Sequence, residues 1–245
     1  MTTPTNQIAL LQARVAGDPM LEHEHQCFAQ RAHLPYKAFK PINMTCQDLS
    51  LEALEGCQAV MIGGSGDFSV VVGGFDWHEP MLALLRQIAQ RRMPCFASCF
   101  GHQALIQALG GELRRDPEHS EVGTYELTLN EDGQADPLFG ILPQVFNAHF
   151  GHLDRVTVLP DAFTNMASSQ LCAVQATRLG DAPIVTAQFH PELSYLDNLE
   201  RWLNYLRNYS DPDTPVEEAE ADARRRCFPG PESTTLIKRF VDLYI

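Results

Sequence analysis

The sequence has few of the features that would place a protein at a membrane, on nucleic acid or in a disulfide framework. No apolar stretch approaches the roughly 20 residues that span a bilayer, and no basic segment followed by an apolar one marks a secretory signal. Basic residues are scarce: 18 Lys and Arg against 31 Asp and Glu give a net charge of −13, which argues against nucleic-acid and anionic-membrane surfaces. The seven cysteines include no Cys-x-x-Cys pair, so their spacing predicts neither disulfides nor a zinc site. We therefore expect a cytoplasmic protein.

Nucleotide-binding motifs are also missing. The glycine-rich segment Gly63-Gly64-Ser65-Gly66-Asp67 lacks the Gly-Lys-Ser/Thr ending of a P-loop and the Gly-x-Gly-x-x-Gly spacing of a dinucleotide site. No metal-ligand spacing and no internal repeat stand out. We expect no metal and no cofactor.

Short apolar runs alternate with helical patterns along much of the chain, which at 245 residues is long enough for a full α/β domain. Because several of the runs are apolar on both faces, they predict a mostly parallel sheet covered by helices. The predicted helices lie within Pro19–His33, around Leu49–Leu54 and over Pro80–Arg91. The predicted strands are Ile8–Leu11, Tyr36–Phe39, Ala59–Ile62, Cys95–Ser98, Thr124–Leu129, Val156–Val158, Cys172–Ala176 and Ile184–Gln188.

Two later regions depart from this alternation. Thr124–Leu129 alternates with period two and precedes a predicted turn at Asn130–Gly133, so an antiparallel excursion is expected there. The tail is predicted to be helical, and we expect residues 210–245 to pack on the domain formed by residues 1–209; a partner subunit is the alternative occupant of its apolar face. Three helices are predicted: Tyr195–Tyr209, one opened by a capping box at Thr214–Glu217 and running to Arg226, and one capped by Ser233.

Cys99 lies where a strand-type run changes abruptly into an amphipathic helix. Small residues stand two positions before it, at Ala97, and two after it, at Gly101. This is the pattern of a nucleophile elbow, a tight turn that tolerates no bulky neighbour. A helix N-terminus favours thiolate, the reactive form of cysteine. The alternative is a small apolar core cysteine.

A base for this nucleophile is suggested by His190-Pro191-Glu192, which follows a buried strand. Pro191 ends the strand's hydrogen-bonding pattern, and residues two apart on an extended segment point the same way. Glu192 could therefore orient the imidazole of His190, as the third member of a catalytic triad does. By itself this tripeptide more often marks a strand-end turn.

The Cys99 turn and His190-Pro191-Glu192 belong to four sequence blocks that together resemble the class I glutamine amidotransferase family, whose glutaminase domains use a Cys-His-Glu triad. The resemblance covers about Gln7 to about Arg207. It points to a free-standing member similar to the GMP synthase glutaminase domain and to γ-glutamyl peptidases. The blocks are Val60-Met61-Ile62-Gly63-Gly64-Ser65, Ser98-Cys99-Phe100-Gly101-His102-Gln103, His152-Leu153-Asp154-Arg155-Val156 and Gln188-Phe189-His190-Pro191-Glu192.

The resemblance implies a fold and a set of roles. The fold is a flavodoxin-like three-layer α/β/α sandwich with a mostly parallel central sheet, a small antiparallel excursion and C-terminal helices. The catalytic residues are Cys99, His190 and Glu192. The oxyanion hole comes from the backbone N–H groups of Gly64 and Phe100, and Gln103, His152 and Asp154 would contact the substrate. The chain departs from the family at Ser98 and Ala97, but both are small, so the turn remains feasible.

The implied reaction is hydrolysis of the side-chain amide of glutamine, or of a γ-glutamyl amide, through a Cys99 thioester. Ammonia or an amine leaves, and water releases glutamate. The 53 residues after Glu192 are too few for a synthase domain, so we expect a free-standing hydrolase. Two alternatives remain: a glutaminase subunit that delivers ammonia to a separate synthase chain, and a non-catalytic binding or regulatory homologue.

Overall fold

The computed structural model describes residues 7–230 and 232–245. Short 3₁₀ turns lie between several of its helices and strands. The helices are α1 Met20–Ala32, α2 His78–Gln90, α3 Phe100–Ala108, α4 Glu131–Ala135, α5 Tyr195–Asn204, α6 Leu206–Tyr209, α7 Val216–Arg226 and α8 Leu236–Tyr244. The strands are β1 Gln7–Gln12, β2 Phe39–Asn43, β3 Cys57–Ile62, β4 Cys95–Ser98, β5 Glu112–Arg115, β6 Glu121–Leu129, β7 Val145–His152, β8 Asp154–Val158, β9 Phe163–Ser168, β10 Ala176–Leu179 and β11 Ile184–Ala187.

Five strands form the parallel part of a nine-stranded sheet, in the order β2-β1-β3-β4-β11. β4 lies between β3 and β11, and all four of its residues are buried, as expected for a strand covered on both faces. The carboxyl ends of β3, β4 and β11 therefore meet at one edge of the sheet, where open α/β folds bind their ligands. The predicted mostly parallel α/β architecture is confirmed.

The antiparallel part is larger than the sequence pattern indicates. β10, β9, β6 and β7 continue the sheet beyond β11, and β5 and β8 form a separate two-stranded sheet. The residue patterns of β5, β7 and β9 are too mixed in polarity to be predicted as strands. β7, for example, carries two histidines and an asparagine among its apolar residues.

Several predicted elements differ from the structure. Residues 36–38 form a 3₁₀ turn, so the strand begins only at Phe39. It can continue through Pro41 because β2 is an edge strand, where proline is tolerated. Asn130 caps a short helix through Gly133 N–H instead of starting a hairpin turn. Cys172 lies in the loop before β10 rather than in a strand.

The predicted helix caps in the tail are wrong. Pro215 occupies the N-cap of α7, and Thr235 that of α8, in both cases without a side-chain cap hydrogen bond. The capping box lies at the start of α5, where Ser194 and Asp197 bond reciprocally. The predicted long helix is also interrupted at Tyr205, between α5 and α6.

The tail helices contribute to the packing of the domain. Phe240 of α8 is fully buried and meets Phe96 of β4 edge to face, with ring centroids 5.6 Å apart. α7 crosses β6 at Gly123, where an added Cβ would lie 2.7 Å from the Arg226 carbonyl oxygen. No helix among the described residues is long and apolar enough to cross a membrane.

Candidate active site

Cys99 occupies a strained turn between β4 and α3. Its backbone has φ 49° and ψ −102°, a left-handed conformation that costs free energy for a residue with a Cβ. The Cys99 N–H donates to the Ala187 carbonyl oxygen at 2.8 Å, so the turn is anchored to β11. Gly101 permits close packing of α3 on β3, because a Cβ there would lie 2.7 Å from Ile62 Cβ. This is the geometry of a nucleophile elbow.

His190 and Glu192 face this turn from the end of β11. The His190 Nδ1 lies 2.7 Å from Glu192 Oε1, and Glu192 is fully buried. Because a carboxylate only accepts, Nδ1 carries the proton. The charge of Cys99 acts on His190 and helps to raise its pKa, so the three predicted catalytic side chains lie together.

The charges within this group shift both pKa values. Burial lowers the pKa of His190, but the charges of Glu192 and Cys99 outweigh it and raise the pKa to about 9. Burial raises the pKa of Glu192, but His190 and Arg201 together bring it down to about 2. At neutral pH the pair is therefore imidazolium and carboxylate.

The glycine-rich loop after β3 passes directly beside the imidazole. The Gly63 carbonyl oxygen accepts from Gly101 N–H at 3.2 Å, which ties the loop to the elbow. A Cβ on Gly64 would lie only 2.7 Å from His190 Cε1, so a side chain is excluded there. The loop therefore lies directly against His190, and the roles of Gly64 and Phe100 in an oxyanion hole stay predictions.

Behind the candidate triad lies a layer of buried charged side chains. The sequence analysis did not predict it. Arg201 of α5 approaches Glu192 Oε1 at 3.2 Å and His190 Nδ1 at 3.3 Å, and its Nη2 lies 3.7 Å from Glu24 Oε1. Arg14 bonds the same Glu24 oxygen at 2.7 Å. Glu24 is fully buried below Gly63, where a Cβ would lie 2.3 Å from Glu24 Oε1. No local motif marks these residues, because their partners are distant in the chain.

A cavity of about 270 Å³ opens beside Cys99. This volume is slightly below the range of about 300–1,000 Å³ that is usual for small-molecule pockets. It suits a small substrate. The lining residues are Ser65, Gly66, Asp67, Phe68, Ser69, Cys99, Phe100, Gln103, Arg115, Gly151, His152, Leu153, Asp154, Asn208 and Tyr209.

The three predicted substrate-contacting residues all line this cavity, but each is also bonded to the protein. Gln103 Nε2 donates to the Asp154 carbonyl oxygen at 2.9 Å and to Gln188 Oε1 at 3.1 Å. The Asp154 carboxylate accepts from Ser69 at 2.5 Å and lies 3.3 Å from Arg115 Nη1. These bonds join the glycine-rich loop and β8 into the cavity wall. Contact with substrate stays a prediction for these residues.

His152 connects the cavity wall to a polar cluster behind it. Its Nδ1 lies 3.0 Å from the Asp154 carbonyl oxygen, and its Nε2 lies 2.9 Å from Glu121 Oε2. Tyr209 of α6, which the sequence did not indicate, donates to the Gly151 carbonyl oxygen at 3.2 Å. Cys99 Sγ approaches this same oxygen at 3.8 Å. The tail thus contributes one wall of the cavity.

A family model described as "Glutamine amidotransferase class-I" matches residues 37–204, more than half of the chain. Curated relatives whose names describe one subunit of a glutamine-hydrolyzing GMP synthase are also similar. The one from Methanocaldococcus jannaschii is 35% identical over 106 residues, which cover 43% of this chain and 54% of that protein. The one from Pyrococcus abyssi is 30% identical over 127 residues, covering 52% and 64%. The matched part thus spans little more than half the length of these relatives.

Two solved structures share the fold over almost the whole chain. A glutamine amidotransferase from Methylobacillus flagellatus superposes with a TM-score of 0.69 at 20% identity, covering 97% of this chain and 94% of that one. A glutamine amidotransferase from Thermotoga maritima gives 0.68 at 18% identity, covering 97% and 99%. At these identities the likeness concerns the fold alone.

Proposed function

Because this chain belongs to the class-I glutamine amidotransferase family, we propose that it is an amide hydrolase that uses Cys99 as nucleophile. The observation that carries the proposal is the grouping of Cys99, which lines a small cavity, with the bonded pair of His190 and Glu192. Glutamine, or another small γ-glutamyl amide, is the proposed substrate.

The first half of the reaction uses the imidazolium. Cys99 passes its thiol proton to His190, its sulfur attacks the side-chain amide carbon, and negative charge develops on the amide oxygen. The backbone N–H groups of Gly64 and Phe100 would stabilise that oxygen, each by about 3 kcal/mol by analogy with measured oxyanion holes. Because its pKa is raised, His190 holds a proton at neutral pH and gives it to the leaving nitrogen. The C–N bond breaks, ammonia or an amine departs, and a γ-glutamyl thioester remains.

The second half uses the same imidazole, now neutral, as a base. His190 takes a proton from water, whose oxygen attacks the thioester carbon, and the C–S bond breaks to give glutamate and the free Cys99 sulfur. Glu192 stays ionised throughout and holds the ring in the tautomer that presents Nε2 to the reaction.

Arg115 is the group in the cavity best suited to the far end of such a substrate. Among the residues that line the cavity it is the one arginine or lysine, and its ion pair to Asp154 engages Nη1, leaving further donors. A guanidinium binds carboxylates through paired hydrogen bonds. We assign it to the α-carboxylate of the glutamyl group.

The test measures glutamate and ammonia released by the purified chain from glutamine, and glutamate and amine released from a γ-glutamyl dipeptide. We expect activity that is abolished in Cys99→Ala and retained in Cys46→Ala, a matched change at an exposed free cysteine. Equal turnover by the wild type and Cys99→Ala would refute the proposed chemistry.

A second candidate function follows from the names of the relatives, which describe them as subunits of a glutamine-hydrolyzing synthase. In that case the chain would deliver ammonia to a separate synthase protein. Activity on glutamine that appears only on adding such a partner would favour this function. Turnover by the isolated chain would favour the free-standing hydrolase.

A further inference from the structure

Behind the cavity wall, three potential metal ligands meet from separate parts of the sheet. Glu121 begins β6, His152 ends β7, and Cys172 lies in the loop before β10. All three are buried, and their ligand atoms, a carboxylate oxygen, an imidazole nitrogen and the sulfur, lie within 4.8 Å of one another. The sequence could not indicate this group, because its members stand 31 and 20 residues apart.

The hydrogen bonds of His152 leave Nε2 facing a negative group. Nδ1 lies 3.0 Å from the Asp154 carbonyl oxygen, which only accepts, so Nδ1 carries a hydrogen. Nε2 then lies 2.9 Å from the Glu121 carboxylate. A lone pair on Nε2 would repel that carboxylate, so a cation must sit between them, either a proton or a metal ion. Histidines that ligate metals typically donate their other ring N–H to such a carbonyl oxygen.

Two oxygens in the same cluster lack a hydrogen-bond partner. They are Glu121 Oε1 and Gln175 Oε1, and both residues are fully buried. Gln175 Nε2 donates to the other oxygen of Glu121, so the two unpartnered oxygens belong to directly bonded side chains. Buried acceptors without a partner are costly, and a cation would satisfy them.

The cluster also has an entrance. A surface cavity of about 490 Å³ reaches Glu121 and is bordered by Ser169 and Leu171. Cys172 Sγ, the softest donor, lies 3.5 Å from the His119 carbonyl oxygen.

We propose that Glu121, His152 and Cys172 form a binding site for a divalent cation of the zinc type. The mixed nitrogen, sulfur and oxygen donors suit zinc rather than magnesium or calcium. On binding, the Cys172 thiol releases its proton to solvent, and Nε2 releases any proton it carries. Because His152 also lines the catalytic cavity, the bound ion would hold that wall in place.

Cobalt(II) chloride is the probe, since thiolate-bound cobalt has a charge-transfer absorption band. The measurement uses Cys99→Ala, which removes the catalytic thiol as a competing ligand. We expect a thiolate–cobalt band in Cys99→Ala, displacement of the cobalt by zinc chloride, and no band in Cys99→Ala/Cys172→Ser. The matched control is Cys99→Ala/Cys27→Ser. Cys27, with His23 and Asp197, forms the other candidate cluster among the described residues, and its loss should leave the band unchanged.

A band that is absent in Cys99→Ala, persists without Cys172 or disappears without Cys27 would overturn the proposal. If the Cys172→Ser variant does not fold, Glu121→Gln in the Cys99→Ala background keeps the shape and removes the anionic ligand. We expect cobalt binding to weaken by at least about tenfold in that variant. Unchanged affinity would also overturn the site. None of these outcomes depends on the proposed hydrolase activity.

Discussion

Replacing Glu192 by glutamine removes one charge from the candidate triad and almost no volume. The carboxylate is fully buried and lies 2.7 Å from His190 Nδ1. The change therefore tests whether charge, rather than shape, prepares the imidazole for catalysis.

The structure sets the size of the effect. The pKa of His190 is raised to about 9, against an ordinary value of about 6.5, a difference worth roughly 3 kcal/mol. In Glu192→Gln the burial penalty is no longer opposed by that carboxylate, and Arg201 Nη1 remains 3.3 Å from Nδ1. We expect the pKa of His190 to fall below about 6.5. At pH 7 a pKa of about 6.5 leaves only about a quarter of the imidazole protonated, so kcat/KM at pH 7 should drop by at least about fourfold.

Two measurements check this expectation: NMR titration of the His190 ring and the pH profile of kcat/KM for glutamine. Glu200→Gln is the matched control, because its side chain lies on the same helix as Arg201 and is 64% exposed. In Glu192→Gln/Arg201→Met, part of the pKa drop should be reversed, since the remaining positive charge is gone. A His190 pKa that stays near 9 in Glu192→Gln, or a kcat/KM at pH 7 that falls by less than about twofold, would refute the reasoning.

Three further predictions concern other parts of the site. Gly64→Ala should lower kcat by at least about 100-fold while the fold persists by circular dichroism, because its Cβ would lie 2.7 Å from His190 Cε1; normal kcat would contradict this. Arg115→Met should raise KM for glutamine by about 10- to 150-fold with little change in kcat, since a charge-assisted bond is worth about 1.5–3 kcal/mol; steady-state kinetics with an unchanged KM would exclude the assigned contact. Stability should be greatest near pH 6.5, as measured by urea unfolding. The raised pKa of His190, about 9, gives stability below about 6.5 that is lost as pH rises through 9. Burial lowers the pKa of His102 to about 3, so its contribution is lost as pH falls below about 6.5. In His190→Asn the alkaline decline should flatten, and a decline that persists would count against this assignment.

The grouping of the three candidate triad residues could be predicted from the sequence because each of them has a local cause. Cys99 follows a continuously apolar strand and precedes a helix, and small residues flank it. His190 and Glu192 follow the next central strand, where Pro191 ends the pairing. Since parallel strands present their carboxyl ends at one edge, the alternating pattern is enough to bring these segments together. The strained backbone of Cys99 favours the elbow over an ordinary core cysteine, and the catalytic role stays a prediction.

The strands that the sequence did not indicate lie in the antiparallel part of the fold. Their burial is one-sided or interrupted by polar groups, so they lack the continuous apolar runs of the parallel strands. Glu121 and His152 are buried polar residues that pair across β6 and β7. Such pairs can be recognised only when the register of the two strands is known, because the partners lie far apart in the chain.

The buried charged residues behind the candidate triad are the clearest example of a feature that local sequence patterns do not predict. Arg14, Glu24 and Arg201 are all nearly inaccessible, although the helices that carry two of them look like ordinary amphipathic helices. A buried ion pair seldom stabilises a fold more than apolar packing would, and losing one partner costs about 3–5 kcal/mol. Here the arrangement has a local effect that packing could not supply: Arg201 helps to hold the pKa of Glu192 low, and that carboxylate in turn keeps His190 protonated. Glu24 pairs with Arg201 from the other side and fills the space that Gly63 leaves open. The glycine-rich loop and the protonation state of the imidazole are therefore set by the same buried group of charges.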